Sequence, residues 1–223
     1  MTKITQYSAE NLAVGAGVDT VKWNTLPAPA ILDRTIQALR EHGITVIPVR
    51  TGDEALAALK TLIPHGAEVM NGSSTTLIEI GYEELLANKN TGWRSLHATI
   101  TAENDDRKRA DIRRKSVTAE YFISGANAIS ETGEIIGCDA SGSRVGAWPF
   151  AAGHLVLVAG TNKIVPTLKD ALDRVWNYAF RLENARAQKA YGTPSTIGKC
   201  VILAREKIPN RVTLILVSEA LGY

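Results

Sequence analysis

From residue 31 onward, apolar positions alternate between helical and strand spacing. In ILDRTIQALREHG, Ile31, Ile36 and Leu39 recur at helical intervals, and Gly43 suits a helix end. ITVIPV is a short continuous apolar run, the pattern of a buried strand. Thr51-Gly52-Asp53-Glu54 has the S/T-x-x-E form of a capping box ahead of EALAALKTLI, a second helix closed by Pro64 and Gly66. AEVMNG predicts another strand, and the helix behind it runs to about Leu86. This rhythm of helix and strand is what parallel strands joined by right-handed crossovers produce.

The pattern changes beyond residue 100. ENDDRKRADIRRKS has almost no apolar positions and reads as the solvated face of a helix, or as a basic patch facing a substrate or partner. YFISGANAIS and IIGCDASGSRVGAW are two apolar runs separated by Glu131-Thr132-Gly133-Glu134, which predicts an antiparallel hairpin beside the parallel sheet. HLVLVAG is a buried strand. Leu168, Leu172, Val175, Ala179 and Leu182 trace one face of a long helix after Pro166, and VTLILV closes the chain as an anchored sheet strand. The expected fold is a three-layer α/β/α sandwich, mostly parallel with an antiparallel hairpin extension. It forms a single domain over residues 1–223, in which residues 1–29 are irregular.

Composition narrows the function. In 223 residues, 45% hydrophobic, a sizeable core can form. Lys plus Arg number 25 and Asp plus Glu 23, a net charge of +2, so no long-range field favours nucleic acid or an anionic membrane. The basic stretch at 107–115 is short and lacks interleaved aromatics, which ranks RNA last. No run of about 18 apolar residues and no export signal is present. Cys138 and Cys200 lie far apart with no metal-ligand spacing, and the four histidines have no i, i+4 partner, so reduced thiols, a cytoplasmic location and no metal are expected.

Two phosphate motifs fail on inspection. GTPSTIGKC has one residue too many for a P-loop and ends in Cys200 where a metal-binding hydroxyl is needed, while Gly15-Ala16-Gly17 lacks a third glycine. The stretch VMNGSSTTLIEIG is more informative. Asn71, Gly72, Ser73, Ser74 and Thr75 sit between a strand and a helix, where free N–H groups can hold a carboxylate or phosphate, or where the hydroxyls simply cap the helix. A second polar cluster lies in SGANAISETGEIIGCDASGSRVGA. There Asn127 is a ligand contact or a structural amide, Glu131 an acid/base group or a solvated turn carboxylate, and Asp139 an acid/base group or a turn cap. Arg144 offers a planar fork for an anion or for an ion pair, and Lys163, just past a strand, is an anion or catalytic contact or a surface lysine.

With NGSSTTLIEIG, GANAISETGEII, CDASGSRVGA, VLVAGTNKIV and LILVSEALGY in this order, the chain closely resembles the LUD (lactate utilisation) domain family from about residue 30 onward. The resemblance implies a fold like that of ribose-phosphate isomerase, glucosamine-phosphate deaminase and the CoA transferases, with Gly72 through Thr75 as an anion cradle. Asn127, Glu131, Asp139, Arg144, Asn162 and Lys163 match positions characteristic of the pattern. Many similar proteins carry a cysteine cluster after a TGKC-like segment, whereas this chain keeps only Cys200. No cofactor of its own is therefore expected, and a separate iron–sulfur partner protein would hold any redox group.

Two functions follow as expectations. One is a homodimeric site for a small anionic metabolite of lactate or organic-acid utilisation, with Glu131 or Asp139 moving a proton and Arg144 or Lys163 holding charge. The other is a non-catalytic accessory or regulatory subunit of an iron–sulfur lactate-oxidation complex. Both require the two polar clusters to converge on one cavity.

Overall fold

The computed structural model describes residues 6–88 and 91–223. Its main sheet is six-stranded and entirely parallel, in the order β1 (Thr45–Val49), β10 (Val212–Val217), β7 (His154–Gly160), β4 (Tyr121–Gly125), β2 (Glu68–Asn71) and β3 (Arg94–Ser95). A second sheet joins β8 (Ile164–Val165), β5 (Ala128–Ser130), β6 (Ile135–Asp139) and β9 (Lys199–Leu203). The expected mixed α/β architecture is present, and the predicted hairpin is the β5–β6 pair.

The hairpin does not extend the parallel sheet. YFISGANAIS divides at Ala126-Asn127 into β4, which belongs to the main sheet, and β5, which belongs to the second. Gly125 permits the division because a Cβ there would lie 2.4 Å from Ser74 Oγ.

Strand periodicity assigns the layers. In the main sheet Tyr121, Ile123, Val156, Val158, Ile215 and Val217 pack against α4 (Gly52–Leu62), α5 (Thr75–Glu79) and α6 (Tyr82–Ala87). The intervening residues Phe122, Leu155, Leu157, Leu214 and Leu216 face α3 (Pro29–Glu41) and also Ile129 and Ile135 of the second sheet. Ala128, Ile136 and Cys138 turn outward to a third cluster formed with α1 (Ala9–Ala16), α9 (Leu168–Arg174) and α10 (Phe180–Tyr191). β5 and β6 are thus buried on both faces, which is why they read as continuous apolar runs, whereas β9 is an edge strand largely exposed to solvent.

Within residues 6–29, expected to be irregular, lie two short helices, α1 and α2 (Thr20–Trp23). Ser8 and Asp19 cap them, and Leu12 and Trp23 are buried against the third cluster. Helices this short are marginal by themselves, so their stability comes from tertiary packing that local periodicity does not register. The long helix after Pro166 is continuous but contains a π-helical segment, Val175–Ala179, between α9 and α10. Among the described residues no helix is long and apolar enough to cross a membrane.

The C-terminal segment is anchored, as expected. β10 lies between β1 and β7, Asn162 Oδ1 accepts the Leu221 N–H at 3.1 Å, and the Glu79 carboxylate accepts the Gly222 N–H at 2.6 Å. Burial pushes the Glu79 carboxyl above the ordinary carboxylate range, against the opposing effects of the Gly222 amide and Lys163. Its contribution to stability is therefore greatest at low pH and is lost as pH rises from the ordinary carboxylate range through the raised folded value. Glu79→Gln keeps an acceptor for Gly222 and abolishes the titration. The stability difference, wild type minus variant, measured by urea denaturation, should fall as pH rises through that window, and a pH-independent difference would contradict the assignment.

Candidate functional site

A cavity of about 1150 Å³ opens at the carboxyl ends of β2 and β4, the edge where parallel α/β sheets gather ligand groups. Residues 71–76, 125–127 and 138–144 line it together with Lys163. The two polar clusters identified in the sequence therefore share one cavity.

Arg144 makes the junction. Its stem lies on Gly72 so closely that a Cβ at that position would sit 2.5 Å from both Cγ and Cδ of Arg144. Its guanidinium donates to the Gly125 carbonyl at 3.0 Å, to Asn127 Oδ1 at 3.0 Å and to the Cys138 carbonyl. All three acceptors are neutral, and no carboxylate among the described residues forms an ion pair with it. The half-buried guanidinium thus has hydrogen-bond partners but no counter-charge bonded to it.

Asp139 shapes the loop that carries Arg144. One carboxylate oxygen accepts the Gly142 N–H, and the other accepts the Arg144 and Val145 N–H groups at 3.0 and 2.9 Å. With both oxygens so occupied, Asp139 is a positioning residue for Arg144. Asn127 has the same character, because its Oδ1 also accepts the Cys138 N–H at 3.0 Å.

The NGSST turn contributes less as a helix terminus than its sequence promised. The Gly72 amide is committed to the Ile123 carbonyl at 3.0 Å, and Ser74 caps α5 by accepting from Leu77 N at 3.4 Å. The helix that follows has only five residues, too few for a substantial macrodipole. Ser73 is exposed on the rim, and Asn71 lines the cavity with its Oδ1 buried and unpartnered. Positive charge at the site therefore comes mainly from side chains.

Lys163 supplies a second basic group, of unusual character. It is 1% exposed, and its Nζ lies 2.8 Å from both Thr76 Oγ1 and the Ala126 carbonyl. Burial, with the nearby Arg174 charge, drives its pKa well below the ordinary lysine value, and Glu79 only partly offsets this. Arg174 is itself fully buried, its guanidinium held by the Trp23 and Asn127 carbonyls, and burial lowers its pKa to about 10. The sequence carried no mark of Arg174, which sits in an ordinary helical stretch.

Two expected site residues lie elsewhere. Glu131 stands at the far end of the hairpin, ion-paired with Arg34 of α3 at 3.0 Å, four residues along an extended chain from Asn127 and so roughly 13 Å away. It does not line the cavity. Asn162 is also outside the lining and holds the C-terminal segment, donating to Asn24 Oδ1 at 2.6 Å as well as binding Leu221.

The charged helix α8 (Asp106–Lys115) has a dual environment. It buries no residue, as a solvated helix should, yet Arg109, Arg113 and Arg114 line the cavity. Arg109 and Arg114 pair with Asp106 and Asp111, whereas Arg113 donates to Ser143 Oγ at 3.0 Å. The wall beyond Thr75 is an internally neutralised set, in which Tyr223 donates to Glu183 and Glu183 pairs with Arg186 through both oxygens. Cys138 also lines the cavity, but burial lifts its thiol to about 11, so it stays protonated.

Fold and cavity together define an α/β protein with a cationic cleft at the ends of its parallel strands. The chain belongs to the LUD domain family, whose profile matches residues 32–217 and whose name refers to lactate utilisation. No curated protein sequence matches it significantly. Among solved structures it is similar to a DUF162 family protein from Deinococcus radiodurans, with 15% identity and a TM-score of 0.49 over 87% of this chain and 100% of that one.

The contact between Gly72 and Arg144 is directly testable. Gly72→Ala forces the Arg144 stem to move, at a cost of about 1–3 kcal/mol for an overpacked contact. Urea denaturation should show a loss of that order, restored in part when Arg144→Ala removes the obstructing stem. Strictly additive losses in the double variant would show that the contact is not the source.

Proposed function

We propose that the cavity binds a small anionic metabolite bearing a carboxylate or phosphate, and that Arg144 is its principal anchor. The observation that carries this reading is the guanidinium of Arg144, half-buried at the meeting point of the two loops and hydrogen-bonded to neutral oxygens only. Attraction between unit charges 4 Å apart is about 1 kcal/mol in water but about 4 kcal/mol at an effective dielectric near 20, so an anion gains more here than at an exposed arginine. Arg113, tethered to Ser143 on the cavity rim, extends the positive potential towards α8. The cavity of about 1150 Å³ exceeds the needs of a three-carbon acid and admits a larger ligand of the same charge. Membership of a family named for lactate utilisation supports organic acids as the first class to screen.

Thermal shift measurements with lactate, pyruvate, inorganic phosphate and sugar phosphates test the reading. At least one should stabilise the wild type in a concentration-dependent manner. Arg144→Lys keeps the charge but loses the planar fork, and losing one charge-assisted hydrogen bond of about 1.5–3 kcal/mol should weaken binding roughly 10- to 100-fold. Arg144→Met should abolish the shift. An unchanged ligand response in a folded Arg144→Met variant would refute the assignment.

A further inference from the structure

Lys163 has a chemistry that anion binding does not use. Its Nζ has two oxygen partners, Thr76 Oγ1 and the Ala126 carbonyl, both at 2.8 Å. The Thr76 hydroxyl is oriented towards the Leu221 carbonyl at 3.4 Å, so it accepts from Nζ. An ammonium group needs acceptors for three protons, whereas a neutral amine needs two and retains a lone pair. The two acceptors match the neutral form. The surrounding charges favour it too: Arg174 and Arg144 oppose protonation, with Glu79 on the other side, and desolvation is the largest influence.

The amine also has a fixed relation to the proposed anchor. Lys163 Nζ rests on the Ala126 carbonyl and the Arg144 guanidinium on the carbonyl of Gly125, the last residue of β4. Both side chains line the cavity. Arg144 is near enough for its charge to oppose protonation of Lys163, so a ligand whose carboxylate is held by Arg144 lies in the same cavity as the amine.

We propose that Lys163 forms an imine with the carbonyl of a 2-oxo acid whose carboxylate is held by Arg144. This assignment deepens the anion-binding reading and rests on it. The Nζ lone pair attacks C2, a C–N bond forms, and the C=O π bond opens onto oxygen. The two protons of the amine pass to that oxygen. The C–O bond then breaks, one water leaves, and the C=N bond remains. No oxidant or reductant is consumed. Lysines activated by desolvation beside other cationic groups are suited to this step.

The test is reductive trapping of the full-length protein with pyruvate and sodium cyanoborohydride at neutral pH, followed by peptide mass mapping. The expected product is one reduced pyruvyl group on Lys163, formed several-fold faster than on exposed lysines such as Lys60 and Lys189. Lactate, which lacks the carbonyl, should leave no adduct and should slow trapping by competition. Arg144→Met should reduce the Lys163 adduct without altering background labelling, and Lys163→Arg should remove it. Labelling spread over surface lysines, or absent from Lys163 in the wild type, would overturn the proposal whatever the variants do. An Arg144-dependent thermal shift with pyruvate but no adduct would remove the imine and leave anion binding intact. A Lys163 adduct insensitive to Arg144→Met, with no Arg144-dependent thermal shift, would remove the anchor instead.

Discussion

The packing of the Arg144 side chain across Gly72 joins what would otherwise be separate pieces of this protein. Gly72 follows a strand of the parallel sheet, and Arg144 lies in the loop after a strand of the second sheet. The absent Cβ at 72 lets the arginine stem pass, and the guanidinium then ties together the Gly125 and Cys138 carbonyls and the Asn127 amide. These three oxygens solvate the cation without neutralising it. An ion pair at the same place would have rigidified the junction equally well and left no charge for a ligand.

The same preference for neutral partners recurs deeper in the protein. Arg174 is buried on two carbonyls, with one guanidinium nitrogen unpartnered, and stacks over Tyr178 at 4.9 Å. Lys163 is buried on a hydroxyl and a carbonyl. A guanidinium buried as Arg174 is costs folding free energy, because its desolvation is offset only by hydrogen bonds and not by opposite charge. Arg174 is followed immediately by the π-helical segment, and such segments often occur at functional sites. Local departures from the most stable arrangement, gathered around one cavity, are the pattern expected where binding rather than stability governs residue choice.

Glu131 and Asp139 show why candidate chemistry could be read only in part. Both are acidic residues in small-residue turns, eight positions apart, and nothing local distinguishes them. The hairpin separates them: its two strands run between the cavity and α3, so its open end carries Asn127 and Asp139 while its turn carries Glu131 to Arg34. Asp139 reaches the cavity yet directs both oxygens to the backbone of its own loop. Asn162 matched the family pattern as closely as its neighbour Lys163, but adjacent side chains diverged, one to the C-terminal segment and one to the cavity.

Taken alone, the sequence determined the principal helices and strands beyond residue 30, the parallel sheet, the hairpin and the turn after β2, because each of these follows from local periodicity, capping and turn chemistry within a dozen residues. It also marked Arg144 and Lys163 as candidate charges. Tertiary structure decided the rest: the division of YFISGANAIS between two sheets, the two helices within the N-terminal segment, the exclusion of Glu131 from the cavity and the burial of Lys163 beside Arg174. Each of these depends on contacts between residues far apart along the chain, such as Gly72 with Arg144 and Lys163 with Thr76. The local pattern is compatible with several such pairings, and only the packed core selects among them.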